Sequence, residues 1–123
     1  MAARARHEEE GSATAELALG VPLLLALTVG LVWMLAIGAA QVRVVDASRE
    51  AARALARGDD ATTARAVALR IAPEGASVRV TVDGDRVVVV TSARVAGPGG
   101  LLASVPGVTV SDEAVALLEE GSP

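Results

Sequence analysis

The sequence predicts an α+β fold: a long N-terminal helix, first transmembrane and then amphipathic, followed by a small head with a short helix and about three antiparallel strands. Three observations predict it. Leu17–Ala40 is a run of 24 residues without a charge. Residues 41–57 (QVRVVDASREAARALAR) continue at helical spacing with no breaker. Residues 77–82 then alternate valine with polar side chains, and after Asp83-Gly84-Asp85 comes a second stretch, Arg86–Val95, with valines on both faces. The 123-residue chain is 52% hydrophobic but has one aromatic residue, Trp33, so its apolar content rests on Ala, Val and Leu rather than on ring burial.

Composition excludes much chemistry. Cysteine is absent and His7 is the one histidine, so disulfides, thiolate nucleophiles and Cys-based metal sites fall away. A net charge of -4, with every basic residue an arginine, argues against nucleic acid as the main partner. No nucleophile–base pair can be assembled, and the reading is that of a non-enzyme without cofactor or bound metal.

The apolar run comes first. Its 24 residues make a helix of about 36 Å, enough for a hydrocarbon core of roughly 30 Å. A buried helix of a soluble core rarely exceeds ~20 residues. A cleaved secretory signal would find small residues at Gly38-Ala39-Ala40, but its apolar region usually spans ~7–15 residues. Length therefore favours a retained span. Gly20, Pro22, Gly30 and Gly38 lie inside it and are better tolerated in lipid, where small residues allow close helix packing. Pro22 is read as a mild helix kink. Trp33 falls in the middle of the run, not where an interfacial anchor belongs.

Glu16 is the residue out of place. It directly precedes the run and follows the uncharged stretch Gly11-Ser12-Ala13-Thr14-Ala15. It either sits among lipid headgroups or needs a cation, because a carboxylate at membrane depth costs several kcal/mol. A cut after Gly11 would create an α-amine at Ser12, four residues before it.

That layout, HEEEG|SATAELALGVPLLL, resembles the class III signal of type IV pilins and pseudopilins: a charged leader, Gly at its last position, Glu at the fifth mature position, then a long apolar helix. More narrowly, the leader, the early Pro22, the Ala/Arg-rich continuation through Ala51-Ala52-Arg53 and the strand-rich tail resemble a TadE-like minor pseudopilin of the tight-adherence (Tad, or Flp) pilus family. The resemblance implies cleavage between Gly11 and Ser12 by prepilin peptidase, and Glu16 as the carboxylate that pairs with a neighbour's amino terminus and sets filament register. It implies as partners other pilin subunits, the peptidase, the Tad assembly platform and the lipid bilayer, with the head outside the cytoplasm. The chain divides accordingly into a leader at 1–11, a transmembrane helix at 12–40, an amphipathic continuation at 41–58 and a head at 59–123. Ser12 departs from the N-methylated Phe of type IVa pilins. Charge alone points the other way on topology, since Arg43, Arg49, Arg53 and Arg57 follow the span while Arg4 and Arg6 precede it. A membrane-anchored or secreted envelope-binding protein unrelated to pili is the competing function.

Beyond the span, Val45, Ser48, Ala52 and Leu55 form a stripe of mostly small residues suited to close helix contact. Asp46–Arg49 and Glu50–Arg53 are i,i+3 ion pairs worth about 0.2–0.5 kcal/mol each. Gly58 ends the helix. Asp60 or Thr62 caps a second helix through about Ala72, with Val67, Ala68 and Ile71 inward, and Pro73-Glu74-Gly75 stops it. Ser77–Val82 reads as a half-buried strand with Val78, Val80 and Val82 inward, and Arg86–Val95 as a central strand. Asp83-Gly84-Asp85 is a hairpin turn rather than a calcium loop, because the acidic twelfth position is missing. Gly97-Pro98-Gly99-Gly100 breaks the pattern, and Leu101-Leu102 suits a helical turn. Val108–Leu118 is a third strand, or a strand plus short helix. Asp112-Glu113 and Glu119-Glu120 read as solvated carboxylates.

Overall fold

The computed structural model describes residues 2–99 and 102–118, with side chains from Glu8 onward. Helix α1 runs from Ala2 to Ala56 without interruption, about 83 Å at the usual rise. Its assignment passes through Pro22 and through all four glycines of the first forty residues. It ends in a Schellman arrangement: Asp59 N–H donates to the Ala54 carbonyl at 3.0 Å and Gly58 N–H to Leu55 at 3.0 Å. Gly58 takes φ +100 there, a conformation that a side chain resists.

Helix α2 spans Ala61–Ile71. Of the two caps open to the sequence the structure uses Asp60, whose carboxylate accepts from Thr63 N–H at 2.7 Å. Hydrogen bonding from Thr63, through its side chain and then its backbone, holds the Asp60 carboxyl below its ordinary value. Ala64 and Ala68 face inward, with Val67 and Ile71 half-buried beside them. Pro73 then stops the helix.

Strands β1 (Ser77–Asp83), β2 (Arg86–Val95) and β3 (Val108–Leu117) form an antiparallel sheet in the order β1-β2-β3. The central strand is β2, as its two-sided valine run predicts. The third segment is strand throughout, which decides between the two readings of residues 108–118. Asp83 pairs with Arg86 across the two-residue turn, and Gly84 carries the positive φ.

Helices α1 and α2 cover one face of the sheet. Val87, Val89, Thr91 and Ala93 of β2 are buried against them, with Val78 and Val80 on one side and Val110, Ala114 and Ala116 on the other. Val82 lies on the same row but is exposed, past the end of the helical cover. The opposite face carries Arg79, Thr81, Ser111 and Glu113 to solvent.

The buried stripe of α1 is broader than its periodicity indicates. Val44, Ala47, Ala51 and Ala54 are fully buried together with Ser48, and Ala52 and Leu55 nearly so, while Val45 is only half-buried. Two packed partners, α2 and the sheet, meet this helix from different directions and so cover more than one row. The core accordingly has two clusters, one around Ala47–Leu55 with α2 and Val87/Val89, the other around Ala40 and Val44 with Ala93 and Val110. Between them sit two buried polar side chains, Ser48 and Thr91. On the exposed surface, Glu50 and Arg53 pair at 3.5 Å and Arg57 pairs with Asp59 at 3.8 Å, whereas Asp46 and Arg49 do not approach within ion-pair distance.

Candidate functional site

Gly11, Ser12, Glu16 and Pro22 all lie on α1, and all four are exposed. Ser12 and Glu16 are i and i+4, so they share a face one turn apart. Thr14 donates its hydroxyl to the Glu10 carbonyl at 2.9 Å, bridging the Gly11–Ser12 bond from outside. Gly11 has open space around it and is the weakest helix former of this turn.

From Leu17 to Leu35 the helix presents bare apolar surface. Leu19, Leu23, Leu24, Leu31, Met34 and Leu35 are each more than half exposed. This helix is long and apolar enough to cross a membrane, and almost none of its apolar stretch is buried against the rest of the protein. It fits a membrane anchor.

The head begins to touch α1 well inside the uncharged run. Trp33 donates its indole N–H to the Ala96 carbonyl at 2.9 Å. Gln41 donates to the Ser111 carbonyl at 3.3 Å, and Ser48 to the Asp112 carbonyl at 3.2 Å. Each α1 side chain thus takes a backbone acceptor of the head. Trp33, placed mid-run by the sequence, is therefore the first docking point of the head. Asp112, read as solvated, is half-buried on the row that faces the helices. A lone indole in an aliphatic run was the signal available for this contact, but its acceptor lies 63 residues away and nothing local reveals it.

Residues 11–53 match the family described as TadE-like protein. The chain carries a TadE-like segment. That segment starts at Gly11, includes Ser12, Glu16, Pro22 and Trp33, and reaches the covered part of α1 at Arg53. The family points to the Tad pilus and to a membrane setting for this helix. The chain is also 43% identical over 82 residues to a Mycobacterium tuberculosis protein named "Apoptosis inhibitor Rv3655c". The aligned stretch covers 67% of this chain and 59% of that relative, so the chain spans less than two thirds of the relative's length. No solved structure matches.

Proposed function

We propose that this TadE-like chain is a minor pilin-type subunit, processed by prepilin peptidase between Gly11 and Ser12 and incorporated into a Tad-type pilus through its apolar helix. The observation that carries the proposal is the start of the family match at Gly11, followed at once by Glu16 and the bare apolar helix. The bare half of α1 is held in lipid before assembly and against neighbouring helices afterwards. The covered half holds the head.

Glu16 supplies the register. Its exposed carboxylate has no counter-charge on its own helix within one turn, and at membrane depth an unpaired carboxylate costs several kcal/mol. A neighbour's Ser12 amine, freed by the cut, neutralises it. The pairing is only available to subunits stacked at one axial offset, so one ion pair selects one stagger.

Mass spectrometry of the mature protein tests the cut: a new amino terminus at Ser12 supports it, and an intact Met1 rejects it. Glu16→Ala tests the pairing. The variant is expected to insert and be cut as before but to vanish from sheared pilus fractions. Wild-type recovery in those fractions would refute the role given to the carboxylate.

A further inference from the structure

The connection between β2 and β3 is unusual for an exposed loop. Residues 96–107 (AGPGGLLASVPG) contain no charge. The described part is ordered by two turns, Leu102 N–H to the Gly99 carbonyl at 3.1 Å and Val105 N–H to Leu102 at 3.0 Å. Its two arms are drawn together at Gly97, where a Cβ would stand 2.3 Å from the Val105 carbonyl oxygen. The described parts of the loop, 96–99 and 102–107, are therefore held together, and Ser104 is their one polar side chain.

Its position on α1 gives it a use. Trp33 holds Ala96, and Pro98 lines a shallow cleft of about 360 Å³ with Thr28, Val29, Val32, Trp33 and Ala36. At the same level, on the sides of the helix turned away from the head, Leu31, Met34 and Leu35 are exposed by 54%, 65% and 73%. A hydrocarbon core needs about 20 residues of helix, which counted from Leu17 ends at Ala36. The loop thus lies alongside the last turns of the span. On α1 and on β2 the first charged residue above this level is an arginine, Arg43 and Arg94. Both are exposed, and neither has an acidic partner within 4 Å among the described residues.

We propose that the β2–β3 loop dips into the headgroup layer of the membrane that α1 crosses, with Trp33 bridging helix and loop at the interface and Arg43 and Arg94 meeting lipid phosphates. The proposal rests on the reading of α1 as a membrane span. Indole at this depth suits Trp33, which keeps its ring in apolar surroundings and its N–H on a carbonyl. Arginine stems reach along apolar surface while their guanidinium groups stay among phosphates. The head is then not a freely swinging body but one seated on the bilayer, with its charged end (Arg57, Asp59, Asp83, Asp85) turned away.

The chain has no cysteine, so single-cysteine variants of the full protein can carry one environment-sensitive probe each. Ser104→Cys reports on the loop, Leu25→Cys on the span and Thr62→Cys on the far end of the head. In vesicles of phosphatidylcholine with phosphatidylglycerol, nitroxide lipids labelled near the headgroup are expected to quench the Ser104 probe several-fold more than the Thr62 probe. Deeply labelled lipids should quench the Leu25 probe. Quenching at Leu25 with equal, low quenching at Ser104 and Thr62 would overturn the seated loop while leaving the span. Absence of quenching at all three positions would overturn the span and the loop with it.

Discussion

The two halves of α1 are helical for different reasons. From Leu17 to Val32 the side chains are large, aliphatic and exposed, and little of the rest of the protein touches them. From Ala40 to Leu55 one face is made of small, buried side chains, and α2 and the sheet press directly on it. In the first half a lipid surround would offer backbone groups no partner but one another, which favours the helix. In the second, alanine serves to bring other elements close to the axis. One continuous backbone therefore passes from a region whose partner is external to one whose partner is its own chain. The difference teaches that side-chain size marks where the head sits: the first half is apolar all round and bulky, whereas the second is amphipathic and turns a face of small residues to the sheet.

Enlarging a side chain in the covered half is the strongest way to break that contrast. Ala51 is fully buried at the meeting of α1 with α2 and the sheet. Ala51→Leu is expected to destabilise the head by about 1–3 kcal/mol through overpacking, read by amide exchange or thermal melting in detergent. Leu24→Ala, on the bare half, should leave the head's melting unchanged. Equal effects of the two substitutions would remove the distinction between the halves.

A second substitution sharpens it with the opposite sign. Thr91 is fully buried, and its hydroxyl has no hydrogen-bond partner among the described residues. Thr91→Val replaces that group with a methyl of similar volume and is expected to stabilise the head by about 1 kcal/mol. A loss of stability would mean that the hydroxyl meets a bound water or the Ser48–Asp112 contact more directly than the geometry indicates.

Gly97→Ala acts where the halves meet. The added Cβ meets backbone, not a yielding side chain, so the loop must open and release Ala96 from Trp33. Trp33 is the one indole of the chain, so its emission should shift to longer wavelength while the far end of the head keeps its exchange protection.

The smallest effect belongs to pH. The Asp60 carboxyl is held below its ordinary value by Thr63, so its ionised form is the one the fold favours. Its contribution is fully present above the ordinary carboxylate value of 3.8 and is lost as pH falls through the lower, folded value. Amides in the first turn of α2 should lose protection in that acid range, and Asp60→Asn should flatten the dependence.

Much of this was legible locally. The absence of charge over Leu17–Ala40, the glycine after Arg57, the capping pattern at Asp60, the valine alternation before Gly84 and the continuous valine run after it each act within a few residues, and each element formed where they indicate. Ser12 and Glu16 share a face for the same reason, since their spacing is a property of one helix. What could not be read depends on distant partners. Val44 rather than Val45 is the fully buried valine because Ala93 and Val110 lie over it. Asp112 is drawn inward because its strand faces Ser48.

The linear chain thus determined which stretches are helix or strand and where a carboxylate stands before an apolar span, because periodicity, capping and missing charge are short-range. Only the tertiary structure decided how far along α1 the head descends. That limit is fixed by Trp33 meeting Ala96, 63 residues away, and by small residues admitting the sheet, contacts between distant segments whose pairing no local pattern encodes.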